Sequence, residues 1–206
     1  MKMNRLAAVV LLSALLLSLV GCLAEKRIGA EHYDKSYYIN KYGGDLDSNL
    51  SVFPDGLEAG RIVRFESSLG EGLFDTDGYI LLEYRCDAQQ LTAEEQRLEQ
   101  ISFTIRNTDG QTFTNRVLYD ETSYRYPAYI TNDGFDSTYE YALIDREGGR
   151  IVCVYAAYVL PDGFRYKDCL KNDLSAYKKN SLKAFTVYNH SFDGGQSWTE
   201  FDDAIN

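Results

Sequence analysis

Ile151-Val152-Cys153-Val154-Tyr155-Ala156-Ala157-Tyr158-Val159 is apolar at every position. A strand with one wet face alternates polar and apolar residues, whereas a strand covered on both faces does not. The stretch therefore predicts a central, covered strand. Glu147-Gly148-Gly149 precedes it, and Tyr139 to Arg146 lies on the other side of that turn. Together they predict a hairpin from Tyr139 to Leu160.

Working outward, Tyr79 to Cys86 puts Ile80, Leu82, Tyr84 and Cys86 on one face, opposite Glu83 and Arg85. That is the period of a strand. Ile101, Phe103 and Ile105 alternate with Ser102, Thr104 and Arg106, and Thr112 to Tyr119 follows a turn at Asn107 to Gly110. Residues 101–119 thus form a second predicted hairpin. Phe185 to Asn189 and Gln196 to Phe201 form a third, and Arg61 to Glu66 is a short strand. Asp-Gly occurs six times, at Asp55, Asp77, Asp109, Asp133, Asp162 and Asp193. The pair favours tight turns, because Asp bonds its own backbone and Gly adopts positive φ freely. Its spacing is too irregular for a repeat array. Thr92-Ala93-Glu94-Glu95 reads as a capping box that starts a helix, with Leu98 on its apolar side. A weaker helix is expected within Leu174 to Lys179. The predicted fold class is α+β and β-rich: mainly antiparallel sheet, sandwich-like, with one or two short helices.

The N-terminus has a different logic. Lys2 and Arg5 precede an apolar run from Leu6 to Val20, followed by Gly21 and Cys22. A spanning helix needs about 20 apolar residues to cross roughly 30 Å of hydrocarbon, and this run is shorter. Basic, apolar, then small is the layout of a secretory signal. Leu19-Val20-Gly21-Cys22 resembles the lipobox of bacterial lipoproteins. The resemblance implies a diacylglyceryl group on the Cys22 thiol and cleavage before it, so that Cys22 becomes the first mature residue. Two acyl chains hold a protein stably on a bilayer where one does not. The expected organisation is a signal peptide at 1–21, a tether at 22–34 and a single β-rich extracytoplasmic domain at 35–206. Within 34–55, Tyr37, Tyr38 and Tyr42 precede Gly43-Gly44, and the segment reads as extended chain and loop lying over the core through its tyrosines. The expected location is the cell membrane, anchored on the extracytoplasmic face.

The 206 residues carry a net charge of −10, and removal of Lys2 and Arg5 with the signal makes the mature chain more acidic still. Such a chain repels nucleic acid, so no nucleic-acid partner is expected. Cys86, Cys153 and Cys169 remain after the anchor. An odd number cannot all pair within one chain, and no Cys-x-x-Cys spacing suggests zinc. One disulfide is compatible with an extracytoplasmic setting. Cys86 and Cys153 read equally well as small buried hydrophobes.

Ser191-Phe192-Asp193-Gly194-Gly195-Gln196-Ser197-Trp198 resembles the Asp-box of sialidases, with Ser197 in place of the commoner threonine. In the families that carry it, the box braces a hairpin on the outside of the fold. The Asp193 carboxylate can accept backbone N–H bonds across the turn, and Trp198 can pack back over Ser191. One box, no Arg-Ile-Pro and too short a chain for six blades argue against a sialidase. Asp45-Leu46-Asp47-Ser48-Asn49 begins like a calcium loop, but Leu50 and Gly56 stand where an EF-hand needs glycine and glutamate. It reads as a solvated loop, with a weak calcium site as the alternative. Neither His32 nor His190 forms a triad, since a base must reach its nucleophile and be oriented by a third group. No catalytic residue, cofactor site or metal site is expected.

Taken whole, the mature chain resembles small lipoproteins of Gram-positive bacteria through Tyr33-Asp34-Lys35-Ser36-Tyr37-Tyr38 and Asn189-His190-Ser191-Phe192-Asp193-Gly194-Gly195. That resemblance brings no activity with it. The expected function is a non-enzymatic, lipid-anchored binding module for a glycan, peptide or partner protein, held to the membrane through Cys22. The 17 tyrosines offer flat apolar faces for sugars, although tyrosine equally suits half-buried strands. The alternative is a carbohydrate-active hydrolase using two facing carboxylates about 5–10 Å apart. An assembly or spacer role is a third reading, which a large exposed apolar patch would favour.

Overall fold

The structure is a computed structural model that describes residues 24–42, 50–71, 76–106, 112–133, 138–159, 163–176, 185–191 and 199–204. In chain order the strands are β1 (Glu25–Ile28), β2 (Ile62–Glu71), β3 (Thr76–Arg85), β4 (Ser102–Arg106), β5 (Thr112–Arg116) and β6 (Leu118–Asp120). They continue as β7 (Ala128–Asp133), β8 (Thr138–Asp145), β9 (Arg150–Ala157), β10 (Phe185–Ser191) and β11 (Thr199–Ala204). Helix α1 spans Lys35–Tyr42 and α2 spans Ala88–Glu99. The strands form a seven-stranded antiparallel sheet in the order β1-β2-β3-β9-β8-β7-β6 and a four-stranded sheet in the order β11-β10-β4-β5. The β-rich α+β class is therefore the observed one.

β9 lies between β3 and β8, and its residues from Ile151 to Ala157 are all buried. Side chains alternate across a strand. Ile151, Cys153, Tyr155 and Ala157 join a core on one face, with Ile80, Leu82 and Tyr84 of β3 and Cys86 just after it. Val152, Val154 and Ala156 join Leu81, Tyr141 and Leu143 on the other. The first face is covered by α1, α2 and the segment around Leu50, Val52 and Phe53. The second is covered by Tyr124, Phe164, Cys169 and Leu170 from the long connections. Burial on both sides explains why β9 has no polar period.

The expected hairpins form, except that the strand expected from Thr112 to Tyr119 divides at Val117, and β6 pairs with β7 in the large sheet. β8 and β9 pair from Thr138↔Ala157 to Asp145↔Arg150. β4 and β5 pair from Ser102↔Arg116 to Arg106↔Thr112, and β10 pairs with β11. Four local expectations need correction. Residues 25–28, expected within a tether, form edge strand β1 and pair with β2 from Glu25↔Leu69 to Ile28↔Glu66. Their charges have folded partners. The Glu25 carboxylate accepts from Tyr37 Oη at 2.8 Å, from Tyr42 Oη at 3.1 Å and from the Lys41 ammonium, while the Arg27 guanidinium lies 4.1 Å from the centre of the Tyr37 ring. Residues 35–42 are helical rather than extended, and they do cover the core through buried Tyr38 and Tyr42.

The helix start is the third correction. Asp87 is the N-cap of α2: its carboxylate accepts from the Gln90 amide at 2.8 Å, and Gln90 Oε1 accepts from the Asp87 amide at 3.0 Å. This reciprocal box satisfies two otherwise orphaned donors ahead of Thr92. Thr92 instead sits inside the helix and donates to the Ala88 carbonyl at 3.0 Å. Leu91 and Leu98 are the buried face.

The fourth concerns Asp77-Gly78, which is not a turn but part of β3, opposite Gly70 and Leu69. Gly78 has φ of 132°, and a Cβ there would meet the Ser68 oxygen at 1.9 Å, so only glycine fits the strand. Within 174–179 the described part is one 3-10 turn at Leu174–Ala176.

Candidate functional site

The strongest cluster of polar side chains spans four strands of the large sheet, on the face that carries Leu81 and Leu143. Two cross-strand pairs build it: Arg64 on β2 opposite Glu83 on β3, and Asp145 on β8 opposite Arg150 on β9. Arg64 Nη2 stands 2.8 Å from Glu83 Oε2. Arg150 donates through Nη2 to Asp145 at 2.6 Å, and through Nη1 to the other oxygen of Glu83 at 2.9 Å. One guanidinium thus joins both pairs into a continuous chain of four charges. Bidentate and charge-assisted contacts of this kind are the strong ones.

Local structure sets the geometry. Asp145 and Arg150 are the shoulders of the β8–β9 turn, where the Gly148 amide also donates to Asp145 at 2.8 Å. Burial alone would raise the Asp145 carboxyl. The Gly148 amide and Arg150 guanidinium outweigh it, hold the group below its ordinary value and keep it an anion near neutrality. Arg64 also stacks its guanidinium 4.3 Å from the centre of the Tyr166 ring. Its Nε is buried and finds no acceptor among the described residues.

These residues line a cavity of about 280 Å³, completed by Arg125, Tyr126, Asp168 and Cys169. That is near the small end of ligand pockets. Arg125 and Asp168 are exposed and take part in no ion pair among the described residues. The cavity therefore has a closed ionic floor and offers one cation and one anion in its wall. The Cys169 thiol is pushed up to about 12, first by burial and then by the neighbouring Asp168 charge, so it is protonated near neutrality.

A second buried carboxylate lies two residues along β2. Glu66 accepts from Tyr79 Oη at 2.7 Å and from the Tyr166 hydroxyl, and Lys26 Nζ stands 3.1 Å away. Burial raises this carboxyl, while Tyr166, Tyr79 and Lys26 lower it by more. Tyr166 thus touches both Glu66 and Arg64, linking the cavity to β1 through Lys26.

The residues singled out in the sequence fall elsewhere. Cys22, Asp45 to Asn49, and Phe192 to Trp198 of the Asp-box lie outside the described residues; Ser191 ends β10. His32 closes a 3-10 turn at Ala30–His32 with its Nε2 3.5 Å from Glu31, and His190 is in β10 opposite Ile105 and Thr199. Cys86, Cys153 and Cys169 are free and buried, the first two on one face of the sheet and the third on the other. They are the small hydrophobes of the two alternatives. No group of three or more His, Cys, Asp or Glu side chains is placed to hold a metal ion among the described residues, and none of their helices is long and apolar enough to cross a membrane.

Sequence reading did not single out Arg64, Asp145 or Arg150, and it placed Glu83 only as the polar side of β3. The available signal was a charged residue on each shoulder of the Gly148-Gly149 turn. Comparison with protein-family models, with curated proteins and with solved structures finds no match.

Proposed function

We propose that this chain is a lipid-anchored, extracytoplasmic binding module, non-enzymatic, whose cavity at Arg64, Arg125 and Arg150 receives a charged group of a glycan, peptide or partner protein. The observation that carries the reading is the sharing of Arg150 between Glu83 and Asp145. A hydrolase built on two carboxylates needs one of them to hold a proton for the leaving group. Here Arg150 and the Gly148 amide hold Asp145 as an anion, and Glu83 is bridged between Arg64 and Arg150, an arrangement suited to rigid recognition. Arg125 and Asp168, which form no ion pair among the described residues, supply contacts for the ligand without disturbing the floor. Anchoring rests on the signal and lipobox at Leu19-Val20-Gly21-Cys22.

The test is an array of glycans and cell-wall peptides probed with the soluble domain and its Arg125→Ala variant. Retention of a ligand by the parent, weakened in the variant, with the ligand recovered intact, is the expected result. Release of cleaved product would favour the hydrolase reading and overturn this one.

A further inference from the structure

We infer that the anchored domain stands directly on the bilayer, with the end of the large sheet that holds Leu69, Gly78 and Ala157 toward the lipid and the Arg150 cavity at the opposite end. The inference rests on lipidation at Cys22, as proposed above, and goes beyond it by fixing height and direction.

Glu25 is paired with Leu69, so the folded domain begins three residues after the anchoring sulfur. Three residues span at most about 10 Å even when fully extended. A tether running to Asp34 would have reached about 40 Å by the same measure and left the domain free to turn over. The short leash removes that freedom.

Strand register then gives the direction. Leu69 lies opposite Gly78, Gly78 opposite Ala157, and Ala157 opposite Thr138, so these four lie toward one end of the sheet, with only β2 and β3 running on to Glu71↔Thr76. Arg64 is five residues along β2 from Leu69, and Asp145 is seven along β8 from Thr138. At about 3.3 Å per residue the cavity lies roughly 17–23 Å further along the strands.

Two further features favour this end as the contact. Tyr158, directly after Ala157, is 42% exposed and held at φ of 59°, in the left-handed region that bulky residues avoid. A tyrosine presented there suits the boundary between headgroups and water, where its ring and hydroxyl are both accommodated. The acidic mature chain, more negative than the −10 of the full sequence once Lys2 and Arg5 are removed, repels anionic headgroups, so contact through a narrow end costs less than contact through a whole face. The partner is a lipid surface, and the cavity is presented away from it.

Mature lipidated protein, beginning at Cys22, in vesicles of phosphatidylcholine and phosphatidylglycerol tests this. Asp77→Cys and Glu147→Cys place one exposed thiol at each end, and a fluorophore on each is quenched by nitroxide-headgroup lipid. The native cysteines are buried and stay unlabelled. Several-fold stronger quenching at position 77 than at 147 is expected, and a Gly-Ser insertion of a dozen residues between Ala24 and Glu25 should abolish the difference. Equal quenching, or stronger quenching at 147, in protein that floats with the vesicles overturns the orientation while leaving the anchor intact. Protein that does not float, or that floats equally well as Cys22→Ala, overturns the anchor and the orientation with it.

Discussion

Arg150 grips Asp145 with two nitrogens, Nη2 at 2.6 Å and Nε at 3.1 Å, across the turn that joins β8 to β9. The pair closes the hairpin at its tightest point and leaves Nη1 for Glu83. Arg150→Ala should therefore leave two nearly buried carboxylates short of a partner. Removing one member of a buried ion pair costs about 3–5 kcal/mol, and the exposed edge of Arg150 reduces that to about 2 kcal/mol. Urea denaturation at pH 7 measures it. A loss under about 0.5 kcal/mol, the range of an ordinary surface change, would mean that the network contributes little.

The same pair predicts a pH dependence. Asp145 has a lowered folded-state pKa, so its stabilisation is complete above the unfolded value of about 3.9 and is lost as pH falls through the folded one. Glu66 acts with the same sign from about 4.3 downward. Stability should fall steeply below about pH 4, and the Arg150→Ala variant should lose less over that range than its parent. Denaturant midpoints between pH 6 and pH 3 give both slopes, and parallel slopes would contradict the coupling.

Asp87→Ala removes the N-cap of α2 and half of its reciprocal box with Gln90. A loss of about 1 kcal/mol is expected, seen as a lower melting temperature. Thr92→Ala should change little, since Thr92 lies inside the helix and its hydroxyl only returns to the Ala88 carbonyl. The reverse ranking would restore the helix start at Thr92.

Thiol counting addresses both the core and the anchor. The chain has four cysteines. With Cys22 blocked as a thioether, the unreduced protein should show no reactive thiol when folded and three in denaturant, from Cys86, Cys153 and Cys169. Burial pushes all three thiols up, which slows reaction further. Fewer than three in denaturant would reveal a disulfide.

How far the sequence could be read depended on whether a segment's partners were close by in the chain. β9 announces itself because burial on both faces leaves only apolar residues, and the β8–β9 and β4–β5 hairpins follow from local alternation and turn chemistry. β1 does not, because its charges at Glu25 and Arg27 look solvated until Tyr37, Lys41 and Tyr42 of α1 fold over them. The start of α2 is masked in the sequence because Thr92 and Glu95 mimic a capping box just after the real one at Asp87 and Gln90. The cavity was the least visible feature. Arg150 and Glu83 are 67 residues apart and meet only because β3 and β9 are neighbours. Periodicity reports which face a residue takes, not which distant strand lies beside it.

The proposed acyl group at Cys22 is the central claim, because the proposed short leash and direction of the cavity both begin there. Radioactive palmitate labelling of the host, followed by membrane fractionation, measures it most directly. Label on the wild-type chain in the membrane fraction, with an unlabelled and released Cys22→Ala variant, is the predicted result. An unlabelled wild-type chain, or a variant that keeps its label, would contradict it.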